Sequence, residues 1–233
     1  MTTDPEIRHY SFEDIRPSYE EVLAVMGYSL GAEPSFLPDI MNIILDETAL
    51  HADASGCFRI YKIDSINVKS GDISFSDGAI HCGRKIAGQM KKSEYLVLLI
   101  TTAGQRFDSW IKSKRADGDI LAEFLCSSVG SVIAENVADK IESEISLLAD
   151  KSEMGITNRY SPGYCNWNLS DQVIFFRLLP ADRIGVSITN SFLMNPVKSV
   201  SALIGLGHGI KPGPYACEMC NIEDCIVRRA REK

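Results

Sequence analysis

Within six residues the chain sets a permanently charged side chain, a stiffened turn and an aromatic ring: Arg159-Tyr160-Ser161-Pro162-Gly163-Tyr164. Pro162 fixes its own φ and pushes Ser161 towards extended backbone, while Gly163 accepts conformations and close approaches that other residues resist. A loop stiffened in this way can aim side chains at a small molecule. The planar guanidinium of Arg159 suits a carboxylate, and Tyr164 offers a flat face with a hydroxyl at its edge. Together they make half a site for a ligand that carries an amino acid. The same spacing also serves a structural turn, in which Arg159 pairs with a neighbouring acid and Tyr164 packs.

A second group sits near the C-terminus, where Cys217, Cys220 and Cys225 have Cys-x2-Cys-x4-Cys spacing. Three thiolates so placed can meet on one zinc ion or iron-sulfur cluster, with Cys165, His208 or an external group as fourth ligand. A reduced tail that binds nothing and a reversible disulfide are the other readings. His9, His51 and His81 are scattered, with no paired acid and no ligand spacing. Ser161, Ser170 and Ser201 lack a nucleophile elbow and a nearby histidine, which argues against hydrolase chemistry.

The clearest element in the chain is a long helix upstream of the Arg159 loop. Over residues 119–148, Leu121, Leu125, Val129, Ile133, Val137, Ile141 and Ile145 recur every four residues, which predicts a long helix with Asp119 as N-cap. At roughly 100° per residue, Glu135 lies about 200° around from Ile133, off the apolar stripe and facing a pocket or water. Gly130 costs this helix about 1 kcal/mol relative to Ala and suggests a close backbone approach. Alternation predicts a strand over 57–63, and Ser70-Gly71-Asp72 a turn before Ile73-Ser74-Phe75. A short helix is expected over 83–92 and an apolar strand over 95–100. Beyond the loop come a helix over 169–179 and strands over 184–188 and 199–204, with a bend at Met194-Asn195-Pro196. Residues 1–55 read as a helical lead-in broken at Pro17, Pro34 and Pro38, with a helix over 37–54.

These elements predict an α+β fold, divided into an N-terminal helical extension (1–65), a main domain (66–212) and a cysteine-rich tail (213–233). The 233 residues are 45% hydrophobic and 24% charged, which is ordinary for a folded chain. A formal charge of -7 leaves no basic footprint for nucleic acid. The longest apolar stretches, such as 95–100, fall far short of the about 20 residues needed to span a bilayer, so no membrane span is expected. The polar N-terminus lacks a secretory signal, and seven cysteines fit a reduced compartment, so the expected location is the cytoplasm.

The segment RYSPGYCNWNLSDQ followed by IGVSITNSFLMNPVKSVSALIG resembles the activation domain of cobalamin-dependent methionine synthase. The resemblance runs over roughly residues 70 to 210 and is strongest at 155–205. It implies an antiparallel sheet flanked by helices, and an Arg-x-x-x-Gly-Tyr loop that binds S-adenosylmethionine (SAM). Arg159 would hold the methionine carboxylate, Gly163 and Tyr164 would shape the site, and Ser161 stands where the family donates backbone hydrogen bonds. Ala134-Glu135 resembles a helical Ala-Glu whose acid faces the ligand's amino group. Two features depart from the family: no acid here aligns with an Asp near the start of the domain, and Ser199-Val200-Ser201 continues into Ala202-Leu203 where the family has a tyrosine. The family's cysteine pattern offers no counterpart to Cys217, Cys220 and Cys225.

The resemblance implies a SAM-binding reactivation protein for a methionine synthase that lacks its own activation domain. An electron donor of the flavodoxin or ferredoxin kind would reduce inactive cob(II)alamin on the partner, and SAM would methylate the resulting cob(I)alamin. The rival readings are a corrinoid-linked adaptor whose terminal cysteines form a metal or redox module, and an activator of another corrinoid methyltransferase.

Overall fold

The apolar run at 95–100 is too continuous for a half-exposed strand, and a computed structural model, which describes residues 3–211, shows it covered on both faces. In chain order the elements are β1 (Glu6–His9), α1 (Phe12–Ile15), α2 (Tyr19–Met26), α3 (Leu37–His51), β2 (Ser55–Asn67), β3 (Asp72–Phe75) and β4 (Gly78–His81). There follow α4 (Gly83–Met90), β5 (Tyr95–Thr102), α5 (Gln105–Ala116), α6 (Ile120–Asp150), β6 (Met154–Ile156), α7 (Gln172–Leu178), β7 (Ser187–Ile188), β8 (Met194–Asn195) and β9 (Ser199–His208). Cys217, Cys220 and Cys225 lie outside the described residues.

Seven strands form one antiparallel sheet in the order β4-β3-β2-β5-β9-β6, with β1 beside the start of β2. Alternation along the strands divides the core in two. Phe58, Ile60, Val97, Leu99, Ile204 and Leu206 pack under α1, α2, α3, α5 and α6. Cys57, Tyr61, Leu96, Leu98, Ile100 and Leu203 pack on the other side against α4, α7 and the loop after β6. On that second face Gly205 carries no side chain, and an added Cβ would come within 2.1 Å of Ser93 Oγ, so α4 and its following turn lie close on β9.

The long helix forms as its periodicity predicts. Asp119 accepts a hydrogen bond from the Ala122 amide at 2.9 Å, the expected N-cap. Leu125, Val129, Ile133, Val137, Ile141 and Ile145 are fully buried, whereas Leu121, in the first turn, is exposed. Among the described residues α6, rather than the 95–100 stretch, is the element long and apolar enough to cross a bilayer. Its apolar residues pack on the sheet and on α1–α3 instead. Gly130 is a contact point: an added Cβ would lie 2.7 Å from Phe107 and 2.9 Å from the Lys198 stem.

Several local expectations need correction. The lead-in is not wholly helical, because Glu6–His9 pairs with β2 over the register Glu6↔Phe58 to His9↔Ser55. Pro38 stands in the first turn of α3, where its missing N–H costs nothing, and so starts the helix rather than breaking it. Ile184 closes a 3-10 turn, Ala181–Ile184, ended by left-handed Gly185, and the strand is confined to β7. The bend expected at Met194-Asn195-Pro196 begins only at Pro196, because Met194 and Asn195 form the strand β8, paired with β7. His81 does have an acid beside it, Asp72 Oδ1 at 2.7 Å, because the β3–β4 register places the two residues opposite one another.

Candidate functional site

The Arg159 loop is aimed by a bulge. Thr157 N–H donates to the Gly205 carbonyl at 2.9 Å and Tyr160 N–H to the Leu203 carbonyl at 3.0 Å, so the chain advances three residues while β9 advances two. One extra residue turns the neighbouring side chains in new directions. Tyr160 enters the lower core, and Arg159 reaches across the sheet edge to α6.

There Arg159 meets three carboxylates. Its Nη2 lies 3.0 Å from Glu135 Oε2, and its Nη1 lies 2.6 Å from Asp139 Oδ1 and 2.7 Å from Glu142 Oε2. Glu135, Asp139 and Glu142 stand at i, i+4 and i+7 of α6, which puts them on one face. The acid pairing open to Arg159 from spacing alone is therefore present, and one of its partners is Glu135. The Arg159 side chain is 19% exposed and that of Glu142 30%, against 54% for Glu135 and 63% for Asp139. The cluster is buried at one end and open at the other.

Burial disfavours the charge on Arg159, but Asp139 and Glu142 more than offset it, so the guanidinium holds its proton more tightly than usual. Burial pushes the Glu142 carboxyl up, and Arg159 offsets that only in part. An open depression of about 300 Å³ adjoins the cluster, lined by Asp139, Glu142, Ser143, Ser146 and Ile156. A larger one, about 470 Å³, lies between α3 and α5 and includes none of the expected site residues.

The rest of the loop closes on itself. Gly163 N–H donates to the Trp167 carbonyl at 2.9 Å, Tyr164 N–H to the Ser161 carbonyl at 3.2 Å and Trp167 N–H to the Tyr164 carbonyl at 2.9 Å. Gly163 has φ of +94°, and Cys165 and Asn166 are left-handed at +53° and +65°. Such non-glycine conformations persist where the surroundings over-determine them. Here Trp167 does so, buried to 2% and donating from Nε1 to Asp171 at 2.9 Å. The result leaves Tyr164 61% exposed at the tip. Arg159 and Glu135 are thus brought into contact, Ser161 and Gly163 build the turn, and Tyr164 stands on the surface.

Lys198, missed in the sequence, belongs to the same face of α6. Its Nζ donates to Ser131 Oγ at 3.0 Å, one helical turn before Glu135. Burial pushes its ammonium down, with Asp108 working the other way. Asp139 and Glu142 were legible as the i+4 and i+7 neighbours of Glu135; Lys198 carries no such signal.

Among the described residues no group of three His, Cys, Asp or Glu side chains could hold a metal ion. Cys165 is buried in the lower core and the His208 ring lies 2.6 Å from Glu94. Burial pushes the Cys57, Cys82 and Cys126 thiols up to about 12.

Residues 85–211 match the family model described as vitamin B12 dependent methionine synthase, activation domain. The chain belongs to that family. As a crystal structure of the MetH reactivation domain bound to AdoHcy shows, the fold is shared as well: the TM-score is 0.66 at 15% identity, over 89% of this chain and 79% of that one. No curated protein matches the chain. Membership of the activation-domain family accords with the antiparallel sheet and the helices on its faces, and the matched region takes in α6, the bulged loop and β9. Its link to vitamin B12 makes a cobalamin-binding module the partner class.

Proposed function

We propose that this activation-domain protein binds SAM through Glu135, Arg159 and the loop bearing Ser161, Gly163 and Tyr164, and presents it for reductive methylation of the cobalamin of a methionine synthase. The observation that carries this reading is the pair formed by Glu135 on α6 and Arg159 on the loop after β6. A carboxylate and a guanidinium 3.0 Å apart, held from a helix and a bulged strand edge, complement the ammonium and carboxylate of one amino acid. The solved relative carries AdoHcy, the same molecule without its transferable methyl group.

Glu135 takes the ligand's ammonium, and Arg159 turns its fork to the carboxylate while keeping Glu142 as its inner partner. Tyr164, at the exposed loop tip, covers the outer side. None of these groups has to exchange a proton, because their work is orientation and electrostatics. SAM would supply its activated sulfonium methyl group to the partner's reduced cobalamin and leave as AdoHcy, while Glu135, Arg159 and the loop hold and orient it. A flavodoxin-like or ferredoxin-like donor supplies the preceding electron.

Calorimetric titration with SAM tests the reading. Saturable binding is expected, weakened at least about tenfold in Glu135→Gln by loss of a charge-assisted hydrogen bond. Failure of the folded wild-type protein to bind SAM would overturn it.

A further inference from the structure

We propose that Lys198 is a second cationic anchor for the ligand's carboxylate, placed across Glu135 from Arg159. The inference rests on the SAM-binding reading and adds a residue to it.

The lysine is built in rather than draped on the surface. Its backbone carbonyl accepts from the Ala103 amide at 2.9 Å and from Thr102 Oγ1 at 3.3 Å, which ties it to the end of β5. Its stem then crosses α6 at Gly130, the one position of that turn with no Cβ to block it, since a Cβ there would lie 2.9 Å from Lys198 Cγ. The ammonium ends 3.0 Å from Ser131 Oγ. Ser131 donates its own hydrogen to the Ser127 carbonyl at 3.1 Å, so its oxygen is the acceptor. One of three N–H donors is used, and two point elsewhere.

The balance of charge favours this cation over the other. Arg159 already faces three carboxylates. Among the described residues no carboxylate lies within ion-pair distance of Lys198, and the acid that does act on it from further off, Asp108, is paired with Lys112 at 2.6 Å. An incoming carboxylate therefore meets surplus negative charge at Arg159 and surplus positive charge at Lys198. Ser131 and Glu135 are i and i+4 on the helix, about 5–6 Å apart at Cβ, a span that the ammonium and carboxylate of one α-amino acid can bridge. The half-buried setting strengthens the pairing, because a partly desolvated ammonium gains more from a carboxylate than a hydrated one.

The test compares SAM with decarboxylated SAM, which keeps the sulfonium and ammonium but has no carboxylate, on wild type, Lys198→Met and Lys198→Arg. Circular dichroism checks the fold, and Lys198→Gln replaces the Met variant if that one does not fold. The expected result is that Lys198→Met loses about tenfold in SAM affinity, about 1.4 kcal/mol, keeps its affinity for the decarboxylated ligand within about twofold, and is partly restored by Arg. Unchanged SAM affinity, or equal loss for both ligands, would overturn the role of Lys198 while leaving the SAM reading intact. Absence of SAM binding by the wild type would instead remove both.

Discussion

Arg159→Ala should destabilise the ligand-free protein, and by an amount that depends on pH. The guanidinium is the only cation within ion-pair distance of Glu142 among the described residues, and both side chains are largely out of water, at 19% and 30% exposure. Losing a hydrogen bond to a charged group costs about 1.5–3 kcal/mol. The pairs to Glu135 and Asp139 are more than half exposed on the acid side and add roughly 0–1 kcal/mol each. Against this stands the desolvation that Arg159 itself no longer bears. The net cost is about 2–3 kcal/mol near pH 8.

Removing Arg159 takes away the group that holds the Glu142 carboxyl down, so its proton affinity in the fold climbs further above the unfolded value of 4.5. A carboxyl raised in the folded state costs stability while ionised, and that cost fades as pH falls through its folded value and is gone below the unfolded one. The variant should therefore approach wild type near pH 4, apart from the packing lost with the arginine stem. Urea unfolding followed by tryptophan fluorescence, at pH 8 and at pH 4, reads both numbers. A cost below about 0.5 kcal/mol at pH 8, or one that is the same at both pH values, would refute the role given to the Arg159–Glu142 pair.

Two further outcomes are expected from the same geometry. Gly130→Ala gains about 1 kcal/mol of helix propensity but forces a methyl to within 2.7 Å of buried Phe107 and 2.9 Å of the Lys198 stem, at about 1–3 kcal/mol of overpacking. A lowered urea midpoint is expected, and a raised one would show that the contact relaxes freely. Asp139→Asn removes one competitor for Arg159 at its most exposed pair, so SAM affinity should rise about 1.4- to 5-fold, the equivalent of about 0.2–1 kcal/mol; a fall in calorimetric affinity would mean that Asp139 serves the ligand instead.

Local pattern sufficed wherever one period ran long enough to dominate. The four-residue recurrence of Leu125, Val129, Ile133, Val137, Ile141 and Ile145 specifies α6 and, by rotation, puts Glu135 off the apolar stripe, where it is indeed found exposed. The apolar run at 95–100 specifies a strand buried on both faces, and Pro162-Gly163 specifies a turn. The ordered resemblance over the Arg159 loop and β9 was enough to indicate the family that the matched region confirms.

Other features have no local cause. Glu6–His9 contains a single strongly apolar residue, Ile7, and is a strand because β2 offers it an open edge. Met194-Asn195 is a strand for the same reason, opposite β7. The aim of Arg159 depends on the mismatch between residues 157–160 and β9, which is a property of pairing between segments more than forty residues apart. Lys198 reaches α6 only because Gly130 leaves a gap in a helix nearly seventy residues earlier. The sequence by itself determined which residues carry charge, which helix must be amphipathic and where the loop must turn, since those depend on side-chain chemistry and short-range periodicity. Only the tertiary structure decided that Arg159 and Lys198 reach the face of α6 that carries Glu135, Asp139 and Glu142, because that depends on strand register and close approach, and neither is written in any one stretch of chain.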